Sequence, residues 1–139
     1  MLRVVLDTNV LVAAVRSRRG AANAIVQALF VRRFIAVVSN NLCFEHQDVL
    51  ARPDIAPHLS ASEAEAWLDA FLRYVEFHKV DYLWRPHLPD PDDERVLDAA
   101  IAGNAQYIVT RNISDFRGCE TLGIKAVTPD IFMHILRQA

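Results

Sequence analysis

Short, wholly apolar runs, each followed by residues suited to start a helix, constrain this chain most. The first is Val4-Val5-Leu6, which runs straight into Asp7-Thr8-Asn9. A strand without polar alternation is buried on both faces, as in a parallel sheet covered by helices. Phe34-Ile35-Ala36-Val37-Val38 repeats the pattern and ends at Ser39-Asn40-Asn41. Gln106-Tyr107-Ile108-Val109-Thr110 is a third run, and Ile124 to Val127, before Thr128-Pro129, is a fourth.

Helical periodicity fills the intervals. The reading places helices from the Asp7-Thr8-Asn9 cap to about Val15, from Ala21 to Val31, and from the Ser39 cluster to about Ala51 before Pro53. Ser60-Ala61-Ser62-Glu63 is a capping box that opens a helix to about Val75, with the stripe Ala64, Trp67, Leu68, Phe71 and Leu72. The stretch Phe77 to Leu83 holds a short strand or none, and Pro86, Pro89 and Pro91 mark a loop. Asp92 or Asp93 caps a helix to about Ala102, where Gly103 stops it. Arg111 to Gly118 is loop with room for one helical turn, and Asp130 to Arg137 is the final helix, with Pro129 at its start. The expected architecture is a single α/β domain over residues 1–139, with a central parallel sheet of four or five strands flanked by α-helices.

A chain of 139 residues with 53% hydrophobic residues is long enough for a real core. No window approaches a membrane span, and the first strand begins too early to leave room for a signal peptide. The cysteines, Cys43 and Cys119, form no C-x-x-C pair, so neither a disulfide framework nor a thiolate zinc site is indicated. A reduced, cytoplasmic setting is expected. The net charge of −2 is not the footprint of bulk electrostatic binding to nucleic acid. Positive charge is nevertheless mostly arginine, clustered at Arg16, Arg18, Arg19 and at Arg32-Arg33. These serve as solvated helix ends or as phosphate contacts.

Four acids coincide with apolar stripes or strand ends. Asp7 stands at the carboxyl end of the first strand, the edge where ligands sit in open α/β sheets. Glu45 lies three residues after Leu42 and four before Val49, on one helical face. Asp93 shares the face of Leu97 and Ala100, beside Asp90, Asp92 and Glu94. Asp115 follows the strand ending at Thr110, with Asn112 between. Each has an ordinary explanation: a helix cap for Asp7 and Asp93, a snorkelling carboxylate for Glu45, an Asx-turn for Asp115. Together they describe one site, because four carboxylates near one point repel and do not stay ionised without cations. Oxygen-only ligands favour Mg²⁺ or Mn²⁺ over zinc and suit phosphoryl-group chemistry. No Walker loop or G-x-G-x-x-G is present. The histidines, at 46, 58, 78, 87 and 134, show no ligand spacing and read as structural or surface residues.

With these pieces assembled, the sequence resembles the PIN-domain family, in particular its small prokaryotic VapC-type toxin ribonucleases. The matching motifs are Leu6-Asp7-Thr8-Asn9-Val10-Leu11, Glu45 with Val49-Leu50 and Arg52-Pro53, Asp90-Pro91-Asp92-Asp93 leading into Val96-Leu97-Asp98-Ala99-Ala100, and Tyr107 to Phe116. The resemblance implies that Asp7, Glu45, Asp93 and Asp115 are catalytic metal ligands and that Thr8, Asn9, Asp90, Thr110 and Asn112 support them. Many members carry Thr-Gly-Asp after the fourth strand. Here that aspartate position is Asn112, and the Thr-Arg-Asn-x-x-Asp-Phe variant moves the acid to Asp115. The implied activity is a Mg²⁺- or Mn²⁺-dependent endoribonuclease, with RNA as substrate, a protein antitoxin as partner and a homodimer as assembly. A non-cleaving RNA-binding or regulatory PIN domain is the main alternative. A flap-cutting DNA nuclease needs segments that this length does not hold. A phospho-accepting receiver domain needs an acidic pair after strand one, where only Asp7 stands.

Overall fold

A computed structural model describes residues 1–81 and 88–139. The expected loop position Pro86, the end of the uncertain stretch at Leu83, and His87 lie outside the described residues. In chain order the elements are β1 (Arg3–Leu6), α1 (Thr8–Arg16), α2 (Ala21–Phe30), β2 (Ile35–Val38), α3 (Asn40–Leu50), α4 (Ala61–Leu72), β3 (Val75–Phe77), α5 (Glu94–Ala102), β4 (Tyr107–Val109), β5 (Lys125–Val127) and α6 (Pro129–Gln138). Short 3-10 turns at Pro91–Asp93, Ile113–Phe116 and Cys119–Leu122 complete them.

The five strands form one parallel sheet in the order β3-β2-β1-β4-β5. Successive side chains of β1 point to opposite faces. Val4 and Leu6 pack with Leu11, Ile25, Leu29 and Phe132 from α1, α2 and α6. Val5 packs with Leu42, Leu97 and Phe116 on the other side. Both faces are therefore covered, which is why the strands carry no polar alternation.

The chain leaves β1 toward β2 on one side and later returns beside β1 as β4 on the other. The carboxyl ends of β1 and β4 thus flank the point where strand order reverses, the usual ligand crevice of open α/β sheets. The strand register puts Leu6 opposite Val109, so Asp7 and Thr110 emerge side by side.

Two boundaries differ from expectation. Helix α4 ends at Leu72, not Val75, and the following strand is Val75–Phe77, which meets the uncertain stretch only at Phe77. Val75 fits the helical stripe of α4 and equally the pairing surface of β2. Pairing with Ala36 wins, and tertiary contact overrides the local period. Gly103 does stop α5, but not by adopting a left-handed conformation, since its φ is −94°. A Cβ there would lie 2.1 Å from Val37 Cγ1, so glycine is needed for the close approach of α5 to β2. The left-handed residue is the next one, Asn104, at φ 52°.

The arginine clusters serve the fold in part. Arg16 Nε donates to the Ile55 carbonyl at 2.5 Å, and Arg33 Nη2 donates to the Leu136 carbonyl at 3.1 Å. Arg32 lies over the Tyr74 ring, 5.1 Å from its centroid. Cys43 and Cys119 are free and buried.

Candidate active site

Asp7 occupies the N-cap position of α1, yet its side chain makes no capping bond. Its Oδ2 instead accepts the Thr110 hydroxyl at 2.8 Å. Asp7 is 8% exposed and Thr110 fully buried, so the pair is held inside the sheet edge. Burial pushes the Asp7 carboxyl up to about 6. The Thr110 hydroxyl opposes that rise, while the negative charges of Glu45 and Asp115 add to it. Thr110 Oγ1 also accepts the Asn112 N–H at 3.1 Å and lies 3.4 Å from Asn9 Nδ2. Asn9 Oδ1 accepts the Arg111 N–H at 3.2 Å. One buried hydroxyl therefore ties β1, the start of α1 and the segment after β4 together.

Glu45 sits at the margin of the buried stripe of α3 rather than within it. That stripe is Leu42, Cys43, His46 and Leu50, and the Glu45 side chain is 20% exposed. Glu45 Oε2 accepts the Thr8 hydroxyl at 2.6 Å, and Oε1 lies 3.5 Å from Arg95 Nη1. Its carboxylate thus leaves the core and turns toward the start of α1.

Asp93 stands where the 3-10 turn passes into α5, and its side chain makes no capping bond. The cap expected of it belongs to Asp90, whose Oδ1 accepts the Asp92 N–H at 2.9 Å. Burial raises the Asp93 carboxyl to about 7, with the charges of Asp115, Asp7, Asp90 and Glu45 adding to the rise. Asp115, half-buried in the turn after β4, accepts from Asn112 Nδ2 at 2.9 Å. Ser114 Oγ in turn donates to Asn112 Oδ1 at 2.9 Å. Asn112 and Asp115 are therefore hydrogen-bonded partners rather than alternatives. Of these two, Asp115 carries the charge, and like Glu45 it raises both Asp7 and Asp93.

The fold thus places Asp7, Glu45, Asp93 and Asp115 within one electrostatic field. The donors are all oxygen, chemistry that suits a hard divalent cation. Their spread is wider than a closed ligand cage. Among the described residues, no three His, Cys, Asp or Glu side chains stand close enough to grip one ion as they are.

Two features add detail that the sequence reading did not give. His46 is fully buried, with Nδ1 2.8 Å from Thr8 Oγ1, and burial lowers its imidazole to about 3. The hint was its place one residue after Glu45, four after Leu42 and four before Leu50. Glu94 and Asp98 are buried on α5, and Glu94 Oε1 accepts the Leu88 N–H at 2.8 Å. Their four-residue spacing beside Leu97 was the available signal. Of the other histidines, His58 Nε2 lies 3.1 Å from the Val15 carbonyl, and His78 joins Arg3 and Glu76.

A doubly covered parallel sheet with acids gathered at its switch point defines an α/β domain of the acid-cluster type. A family model described as PIN domain matches residues 3–114, and the chain belongs to the PIN-domain family. Its fold is similar to that of a chain in the crystal structure of VapBC2 from Rickettsia felis bound to a DNA fragment from their promoter. That match has a TM-score of 0.64 and 18% identity, covering 91% of this chain and 98% of the other. It is likewise similar to a chain in DNA-bound VapBC from Salmonella typhimurium, with a TM-score of 0.64 and 17% identity, covering 93% and 99%. No curated protein sequence matches it significantly.

Proposed function

We propose that this PIN domain is a metal-dependent endoribonuclease, the toxin component of a toxin–antitoxin pair. The observation that carries the reading is the gathering of four acids at the ligand edge of the sheet, where burial first and the neighbouring negative charges second push Asp7 to about 6 and Asp93 to about 7. Carboxyls held so far above their ordinary range, at the ligand edge of the sheet, are arranged for something other than stability. Asp7, Glu45, Asp93 and Asp115 would hold Mg²⁺ or Mn²⁺ through oxygen. When bound, such an ion supplies positive charge to the attacked phosphate and lowers the pKa of the attacking water.

The chain's own residues orient this machinery. Thr110 aims Asp7, Asn112 aims Asp115, and Thr8 aims Glu45. Arg95 offsets the charge of Glu45 and sits where a neighbouring RNA phosphate is met. The DNA-bound VapBC complexes that share the fold support a protein antitoxin as partner, and we extend that to this chain together with a homodimeric assembly. Among the described residues no helix is long and apolar enough to cross a membrane, which accords with a cytoplasmic setting.

A non-cleaving RNA-binding PIN domain is favoured by one observation, the spread of the acids beyond a ready-made ligand cage. RNA cleavage with Mn²⁺ and EDTA controls separates the readings. Wild type is expected to cut RNA with Mn²⁺ and not with EDTA, while Asp7→Asn and Asp93→Asn stay folded and inactive. Equal cleavage by all three proteins would point to a contaminating nuclease and sink the site assignment. Tight RNA binding without cleavage at any Mn²⁺ concentration would support the second reading.

A further inference from the structure

We propose that His46 is a positioning residue that fixes the Glu45 carboxylate through the hydroxyl of Thr8; the catalytic part of this inference rests on the nuclease reading. Three groups form a line: His46 Nδ1 is 2.8 Å from Thr8 Oγ1, which is 2.6 Å from Glu45 Oε2. A threonine hydroxyl has one proton to give. A carboxylate oxygen has none, so that proton goes to Glu45. The hydroxyl then has only lone pairs to offer His46, and the imidazole must donate from Nδ1. The relay runs His46 Nδ1–H to Thr8 Oγ1–H to Glu45 Oε2.

This assignment fixes the tautomer. With the proton on Nδ1, Nε2 is a bare acceptor, and among the described residues it has no hydrogen-bond partner. The ring is fully buried and packs edge-on against Phe71, with centroids 6.2 Å apart and planes at 78°. It cannot turn to exchange its two nitrogens without repacking that contact. Unconstrained imidazole prefers its proton on Nε2, so the Nδ1–H form is a distinctive signature of the relay.

The device has a purpose at Glu45. A hydroxyl with a free rotor points wherever a partner is found. A donor fixed behind it leaves one direction for its proton, toward Oε2, while Arg95 stands at the other carboxylate oxygen. Glu45 comes from a helix margin rather than a strand end, and its side chain is 20% exposed, so it gains from such support. Groups that orient a ligating carboxylate in this way typically change metal affinity or activity ten- to a hundredfold when removed.

The test has two arms. In metal-free protein labelled with nitrogen-15 at histidine, the His46 ring nitrogens should show the Nδ1–H neutral form. Thr8→Val, which keeps the shape and removes the hydroxyl, should abolish that preference. A wild-type ring protonated on Nε2, or an unchanged Nδ1–H form in Thr8→Val, overturns the relay. In the second arm, His46→Leu should lower kcat for RNA about tenfold with KM unchanged. His46→Asn, whose amide N–H replaces the Nδ1 donor, should restore most of the loss. Full activity in His46→Leu, or an equal loss in both variants, overturns the positioning role. Wild type that fails to cut RNA sinks the nuclease reading instead, and the ring-nitrogen spectra still decide the relay.

Discussion

Thr110 Oγ1 donates to Asp7 Oδ2 across 2.8 Å, between residues 103 positions apart in the chain. The bond joins the carboxyl ends of β1 and β4 at the point where the sheet reverses its order. It replaces the helix-capping bond that Asp7 would otherwise make, so the carboxylate faces the site rather than its own helix.

Thr110→Val tests that bond. The substitution keeps the shape and leaves a buried carboxylate oxygen without its donor, which costs on the order of 1–3 kcal/mol. Urea denaturation is expected to show the loss, and RNA cleavage to fall with it. An unchanged midpoint would mean that solvent satisfies Asp7 as well as Thr110 does.

Burial of the acids, reinforced by their mutual repulsion, gives the metal-free protein a pH dependence of definite sign. Asp7 rises from 3.8 to about 6 in the folded state, and Asp93 from 3.8 to about 7. Between these limits the unfolded chain has released protons that the folded chain keeps. Their contribution to stability is therefore fully present below pH 4 and is lost as pH rises to about 7. His46, lowered from 6.5 to about 3, acts in the opposite direction over part of this range. A difference between proteins isolates the acids. Relative to wild type in EDTA, Asp7→Asn should gain stability as pH goes from 4 to 7, by on the order of 3 kcal/mol. Asp93→Asn should follow the same sign. Urea midpoints at each pH measure the difference, and a gain that shrinks toward pH 7 would contradict the coupling.

Divalent cations should reverse that repulsion. Added Mn²⁺ is expected to raise the wild-type Tm, with about 2.7 kcal/mol of stabilisation at a hundredfold excess over Kd. Asp7→Asn and Asp93→Asn should respond far less. Thermal scans with and without Mn²⁺ decide this, and identical shifts in all three proteins would place the ion elsewhere.

Gly103→Ala should destabilise the fold without touching the acids. Its Cβ meets Val37 Cγ1 at 2.1 Å, and overpacking of this kind costs about 1–3 kcal/mol. Adding Val37→Ala makes room and should recover part of the loss. A double variant less stable than either single one would show that the contact is not what requires glycine.

The parallel sheet and most of the acid positions were legible because their signals are local. Val4-Val5-Leu6 reads as a doubly buried strand, and Asp7 follows it directly. The β3 boundary was not legible, because Val75 satisfies both the helical stripe of α4 and the ladder of β2, and only the sheet decides between them. Glu45 was placed on the correct helix but too deep, since a few tens of degrees of rotation about α3 separate the stripe from its margin. His46, read as a structural or surface residue, is fully buried: the helix is turned so that the imidazole, not the carboxylate, takes the buried position. Asn112 and Asp115 seemed competitors in sequence because spacing carries no information about hydrogen bonds between neighbours.

The Asp7–Thr110 bond also bears on the birth of the protein. Its two halves are made 103 residues apart, and Asp115 follows Thr110 by only five residues. A growing chain exposes Asp7 early but has no β4 to set beside β1. The acid cluster closes only once β4 has docked beside β1. A polypeptide interrupted before Thr110 therefore lacks both the hydroxyl that holds Asp7 and the charge of Asp115.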